Sequence, residues 1–446
     1  MIHDEILKFF VLGGFMKVLK KIAALVIMAI TMLTVAACSN NKKNTTSSVN
    51  IPKNITKKTT ITFWNAMVGP LQTNLQELTK EFEKQNPNIK VKLEYQGSYE
   101  DIKSKVQNTL QSPNNLPTIA QSYAGYLYTA AQGGYLQDMT PYINDTNVGW
   151  GSVSKSNINK TLLEGAQIKG TQYGIPFNKS VEVLYYNKTL LDKYGISVPK
   201  TMSELKTAAK KIYDKTNHKV VGAGFDNLSA YYTDGMKEEG YNFNSKINFT
   251  GTASKNVIKY YADGIKRGYF MIAGSQKYLS VPFANEQVAM YVISASAGEA
   301  YVKKGLNGKF EYGVANRPSK YNMARGSDIY MFKHASSMQK AAAFKYIKFL
   351  TSKSSQLKWA NATGYIPVNN ETVNSAAYKN STSIKSPAIL EQAIKRLYNF
   401  PVTKNSETTF NDVSSILSGI LSQTKTKNVD SLIKTGKAKF DSDWKQ

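Results

Sequence analysis

The sequence predicts an α/β fold of two lobes, and three observations carry this. From Thr59 onward, β-branched and aromatic runs alternate with stretches of helical apolar spacing, the pattern of βα units in a mostly parallel sheet. The roughly 400 residues that follow the N-terminal segment exceed one ordinary core and suffice for two. The 446 residues include one cysteine, Cys38, so no internal disulfide staples the chain and each lobe must rest on its own apolar core.

Taken in order, 59–64 (TTITFW) reads as a strand. Residues 71–85 read as a helix with Leu71, Leu75, Leu78 and Phe82 on one face, stopped by Asn86-Pro87. Residues 89–95 (IKVKLEY) alternate as a half-buried strand, and 99–111 read as a helix. Residues 116–122 (LPTIAQS) form a short strand leading into a helix over 125–131, which Gly133-Gly134 closes. Ligands of such sheets sit beyond the carboxyl ends of the strands. Those ends fall at 64–67, 96–99 and 122–123, rich in polar and aromatic side chains. No period of 20–50 residues repeats, and no membrane-spanning run follows residue 38.

The N-terminus carries a different signal. Lys17, Lys20 and Lys21 precede an uncharged run over 22–37, shorter than the roughly 20 residues that span a bilayer. A basic start, an apolar centre and small residues at the end are the parts of a secretory signal peptide. Val35-Ala36-Ala37-Cys38 resembles the bacterial lipobox, which implies acylation of the Cys38 thiol and cleavage just before it. Residues 1–37 are thus expected to be the signal peptide, with Met16 the better start. Residues 38–58 are the lipidated cysteine and a polar tether that cannot bury enough apolar surface to fold. The formal net charge of +26 raises nucleic acid as a partner, but only four residues are arginine, the usual reader of bases and phosphates. Scattered lysines fit an anionic wall or membrane surface better. His3, His218 and His334 give no metal spacing, and neither a nucleophile elbow nor a phosphate loop is present. No enzyme is expected, although a glycosidase needs only two carboxylates. A wall-polymer-binding adhesin is the other alternative.

"ITFWNAM", "LTKEFEKQNPNIKVKLEYQGSYED", "LPTIAQSYAGY", "YGIPFNKSVEVLYYNKTLLDKYGI", "EQVAMYVISASAGEAYV", "RGSDIYMF" and "ATGYIPVN" run in order from about 59 to 370. Together they resemble the family 1 extracellular solute-binding proteins of bacterial ABC importers, within its glycerol-3-phosphate- and carbohydrate-binding group. The resemblance implies a type II two-lobed fold with a ligand cleft between the lobes. The chain crosses first within 176–187, returns near 293–298 and crosses a third time near Thr351. Lobe 1 is then 59–178 plus 297–351, and lobe 2 is 179–296 plus 352–446. It also implies a small-molecule ligand, separate permease and ATPase partners, no cofactor, and a lipid-anchored place on the outer face of the membrane of a Gram-positive cell.

Positions matching the family's cleft residues are Tyr99, Ser180, Ser294 or Ser296, Gly326 and Tyr365. Trp64, Tyr123, Phe225 and Tyr231 are aromatic where the lobes should meet, and aromatic faces stack on sugars; for Phe225 core packing competes. Two departures bear on the ligand. The group's acidic residue after the tyrosine of "QSYAGY" is Ala124 here. Its phosphate-binding arginine corresponds to Glu407 in "VTKNSETTF", and Asp328 adds a second carboxylate after Gly326. Exchange of a guanidinium for a carboxylate disfavours phosphate unless Lys179 or Lys404 compensates. The expected ligand is therefore a neutral polyol or sugar, or a glycerophosphodiester with a cationic head.

Overall fold

In β1 (Thr59–Asn65) the alternation sends Ile61 and Phe63 into the core. α1 (Gly69–Gln85) buries Leu75, Leu78 and Phe82 and ends at Asn86, where Pro87 cannot continue a helix. β2 (Ile89–Tyr95) lies parallel to β1 with Thr59 opposite Ile89. α2 (Tyr99–Thr109) opens on a capping box between Ser98 and Asp101. The strand expected over 116–122 shortens to β3 (Ile119–Ser122), because Pro113–Asn115 turn as a 3-10 helix ahead of it. The helix expected over 125–131 begins instead as a 3-10 turn, Ala124–Leu127. The computed structural model describes residues 49–274, 278–294, 302 and 305–445. The expected signal peptide, Cys38 and most of the tether lie outside the described residues.

Beyond β3 the chain forms β4 (Gly174–Ser180) and β5 (Glu182–Asn187), then α3 (Met202–Lys215), β6 (Val221–Phe225), α4 (Leu228–Glu238) and α5 (Thr252–Arg267). β7 (Phe270–Ile272), β8 (Val288–Ser294), β9 (Tyr312–Asn316) and β10 (Asn322–Met331) follow. The last elements are α6 (Ser337–Leu350), α7 (Lys353–Thr363), β11 (Leu397–Asn399), α8 (Ser406–Leu421) and α9 (Val429–Asp443). One sheet has the order β11-β10-β3-β1-β2, with β4 paired to β10; the other has the order β7-β6-β8-β5-β9. Both belong to one compact unit that begins at Ile51.

A single residue, Val181, separates β4 of the first sheet from β5 of the second. The return expected at 293–298 is not where the chain comes back. β8 pairs with β5 on one side and β9 pairs with it on the other, so both strands belong to the second sheet. The return is the short segment 317–321 that leads into β10. The third crossing also comes later than Thr351, because α6 and α7 still face the first sheet. Tyr346 of α6 meets Phe63 and Phe82 at 6.2 and 5.0 Å and shares a 2.6 Å hydroxyl hydrogen bond with Thr79. Trp359 of α7 packs on Phe177 at 4.9 Å. β11 then extends the first sheet beside β10. Only after it do α8 and α9 join the second lobe's core, where Phe440 stacks on Phe249 at 4.8 Å.

The two crossovers are bolted together. The Asn322 side chain accepts from the Glu182 backbone N–H at 3.0 Å and donates to the Glu182 carbonyl at 2.7 Å. Arg317 lies 3.0 Å from the Glu182 carboxylate and 2.9 Å from that of Asp234, with all three side chains at most 4% exposed. Tyr398 of β11 donates to the other Asp234 oxygen at 2.7 Å. Burial drives both carboxyls toward their neutral forms, and the guanidinium opposes it. Removing one partner of a buried ionic group typically costs about 3–5 kcal/mol, because a buried charge is left uncompensated. Arg317→Met should lose stability of that order in urea unfolding at neutral pH. A loss below about 1 kcal/mol would place the network among the dispensable surface pairs.

Candidate functional site

β10 runs antiparallel to both β3 and β4, which sets Gly326 opposite Lys179 and Asp328 opposite Ser122. A bulge between Ser327 and Asp328 interrupts the β4 register there. Gly326 has φ of +97°, and a Cβ on it would lie 2.1 Å from the Asn178 carbonyl oxygen. Only glycine lets the two strands approach this closely.

Four hydrogen-bonded side chains form the floor. Asn178 Oδ1 accepts from Gln121 at 2.6 Å and from Ser327 at 2.7 Å. Its amide nitrogen donates to the Tyr99 hydroxyl at 3.3 Å, and Ser327 Oγ lies 3.1 Å from that hydroxyl. The Tyr99 ring meets the Tyr123 ring edge to face at 4.9 Å. Burial raises the pKa of both phenols, and Tyr365 raises each further, so the three rings form one neighbourhood. Tyr365 is stacked on Trp359 at 6.1 Å. It is held beside Lys179 by the bond from the Ile366 N–H to the Lys179 carbonyl.

Around this floor stand two ion pairs. Lys179 Nζ is 2.5 Å from Asp328, and it donates to the Gly326 carbonyl at 3.1 Å. Arg325 grips Glu407 with two parallel bonds of 2.9 and 3.0 Å. Two cations and two anions leave the cluster with no net charge. They share a cavity of about 30 Å³ with Tyr123 and Phe400, space for a water or two rather than for a sugar.

The sequence-predicted residues separate into groups. Tyr99, Tyr123, Gly326, Asp328, Tyr365 and Glu407 come together at this cluster. Ser180 and Ser294 meet each other, Oγ to Oγ at 2.5 Å, across the crossover. Ser296 lies outside the described residues. Trp64 is 5% exposed, donates to Glu94 at 2.8 Å and has Lys105 over its ring at 4.9 Å, so its polar edge and one face are already occupied. Phe225 is not a cleft residue. It is fully buried among Tyr231, Tyr261 and Phe270 at 4.8–5.2 Å, because β6 is covered on that side by α4 and α5. Tyr231 is equally buried, with its hydroxyl donating to the Val292 carbonyl. At Glu407 the structure adds a guanidinium that the sequence reading did not count. Glu407 is present, but Arg325 arrives from β10 to face it.

Arg325 and Asp226 escaped sequence reasoning. Arg325 precedes the glycine of "RGSDIYMF", a signal that was available. Asp226 follows β6 directly, at a strand's carboxyl end. Its Oδ2 is buried without a hydrogen-bond partner among the described residues. Burial raises this carboxyl from 3.8 to about 7, although the Leu279 backbone N–H favours the charged form. Folding therefore retains a proton here that the unfolded chain releases above 3.8, so this group subtracts stability as pH rises toward 7. Asp226→Asn should abolish that slope. Its melting temperature relative to the unaltered protein should be more favourable at pH 7.5 than at pH 4, whereas a pH-independent offset would refute the assignment.

Residues 77–386 match the family model of the bacterial extracellular solute-binding proteins. The sn-glycerol-3-phosphate-binding periplasmic protein UgpB of Rhizobium meliloti is 24% identical over 360 residues, covering 74% of this chain and 81% of that protein. Among solved structures, the sugar-binding protein MalE of Xanthomonas citri superposes with a TM-score of 0.75 at 20% identity, covering 87% of this chain and 98% of that one. UgpB of Mycobacterium tuberculosis in complex with glycerophosphocholine gives 0.70 at 19% identity, with the same coverage. At these identities the structural likeness is one of fold. The family model spans more than two thirds of the sequence, and the chain belongs to the bacterial extracellular solute-binding protein family.

Proposed function

We propose that the protein is the lipid-anchored binding component of an ABC importer. It captures a polyol, a sugar or a glycerophosphodiester by closure of its two lobes and delivers it to a separate permease. The carrying observation is the charge-balanced, tyrosine-rich cluster where β10 leaves the second lobe for the first. Tyr99, Tyr123 and Tyr365 offer aromatic faces and hydroxyls, and the Lys179–Asp328 and Arg325–Glu407 pairs offer donors and acceptors without net charge. A polyhydroxylated ligand needs that mixture, since its hydroxyls must exchange hydrogen bonds with water for equivalent ones. Relatives named for glycerol-3-phosphate, glycerophosphocholine and maltose-type sugars support this range of ligands.

Closure follows from the fold. Three short crossovers join the lobes, and a ligand touching both lobes stabilises the closed arrangement by its differential contacts. Ser180, Ser294 and Asp328 then serve as hydrogen-bonding partners, with Gly326 letting backbone approach. The Cys38 anchor rests on the lipobox-like Val35-Ala36-Ala37-Cys38, and the polar stretch between it and the compact unit that begins at Ile51 serves as the tether from the membrane.

Calorimetric titration with a malto-oligosaccharide series, glycerophosphocholine and glycerol-3-phosphate tests the cargo. Micromolar or tighter binding of one of the first two is expected, with a smaller radius of gyration in solution scattering. Salt-sensitive binding to wall polymers without contraction would replace this reading with that of an adhesin. Separately, Cys38→Ser should release the protein into the medium, and continued membrane retention would remove the anchor.

A further inference from the structure

Arg325 stands out among the cluster's cations for how completely its surroundings are built. Its guanidinium carbon lies 4.6 Å from the Tyr123 ring centre, 5.2 Å from Phe400 and 4.4 Å from Phe410. Aromatic faces hold it, and its forked edge is filled by Glu407. Glu407 sits in the first turn of α8 with a side chain 6% exposed. Room for it is made by Gly125, where a Cβ would lie 2.5 Å from the Glu407 Cγ. The partners come from different lobes, Arg325 on a first-sheet strand and Glu407 on a helix of the second lobe's core. The same helix is tied down by Lys103 donating to Thr408 at 3.2 Å and by Asn411 donating to the Tyr126 hydroxyl at 2.6 Å.

A planar guanidinium in an aromatic cradle, lining a polar cavity, is a ready receptor for phosphate or carboxylate. Here a carboxylate of the chain itself already satisfies it with bidentate geometry. A phosphomonoester reaching the Arg325 edge when the lobes part would have to displace Glu407, leaving that carboxylate buried without its partner and adding a second negative charge beside it. A neutral hydroxyl group imposes neither penalty, and it can accept from the guanidinium edge or donate to the carboxylate while the pair persists.

We propose that Glu407 is a built-in counter-anion that masks Arg325, a specificity-determining contact that rejects phosphomonoester dianions and reserves the cleft for ligands without a localised double charge. This inference rests on the reading of the cluster as the ligand site. It names the class of cargo that site refuses.

The test compares the unaltered protein, Glu407→Gln and the double variant Arg325→Gln/Glu407→Gln, each titrated with inorganic phosphate and glycerol-3-phosphate at constant ionic strength. Glu407→Gln is expected to gain affinity for both probes on the order of a hundredfold, the scale of uncovering a buried charge. The double variant is expected to lose that gain. Glu407→Asp keeps the charge but withdraws it by one methylene; it should show a smaller gain, and it carries the test if the glutamine variant does not fold. A gain of less than about threefold in a folded variant, corresponding to well under 1 kcal/mol, would overturn the proposal. So would tight glycerol-3-phosphate binding by the unaltered protein, or a gain that persists without Arg325. The neutral-ligand titration of the unaltered protein separates the two readings. If it binds sugar or glycerophosphocholine while Glu407→Gln gains nothing, the mask falls and the importer reading stands. If Glu407→Gln gains phosphate while no neutral ligand binds, the mask stands and the cargo assignment falls.

Discussion

Arg317, fully buried between Glu182 and Asp234, is the interaction on which the arrangement of the two lobes depends. It follows β9 directly, at the start of the return crossover, and its partner Glu182 is the first residue after the outward one. The same glutamate's backbone is held at both N–H and carbonyl by the Asn322 side chain. Two strands that leave one sheet for another would otherwise expose unpaired backbone groups at the point where neither sheet covers them. The side-chain amide supplies the missing ladder, and the guanidinium supplies the charge that makes two buried carboxylates tolerable. Their position at the crossovers fixes where the chain passes between the lobes, and β10 carries the geometry set there directly into the cluster at Arg325–Asp328.

That continuity explains why the site is assembled largely on one strand. Within four residues β10 provides the guanidinium, the close-approach glycine, the hydroxyl that shares Asn178 and the carboxylate that pairs Lys179. The neighbours β3 and β4 contribute Tyr123, which directly follows β3, and Lys179. The cluster is thus concentrated on a strand paired on both sides, by β3 and β4, and the second lobe brings its contribution on α8.

The local part of this was legible in the sequence. β1, α1 and β2 lie within a residue or two of the expected limits, because alternating and helical apolar spacing and the Asn86-Pro87 stop are properties of neighbouring residues. Tyr99 and Gly326 follow from the resemblance to the family and Tyr123 from an aromatic residue at a strand's end, and the structure brings all three to one cluster. Pairings across long separations were not legible. Nothing near Glu407 points to Arg325, 82 positions earlier, since their meeting depends on β10 lying antiparallel between strands from the first half of the chain. The misplaced return has the same origin. The small residues after β8 look like a crossover, but only the pairing of β9 with β5 decides that the chain has one more strand to add before leaving. Phe225 misled because an aromatic residue at a strand's end can face either way, and here α4 and α5 cover it.

The separation between surface and cleft charge bears on how such a protein discriminates. The chain carries +26 formally, largely as lysines, and a field of that sign gathers phosphate-bearing solutes as readily as any anionic polymer. Screening confines this attraction to about 8 Å at physiological salt, so it acts mainly on approach. Within the cavity the balance is set by four side chains whose charges cancel. Surface electrostatics can therefore enrich anions near the protein without selecting them. On the proposed reading, selection rests on whether a ligand can use the Arg325–Glu407 and Lys179–Asp328 pairs without breaking either.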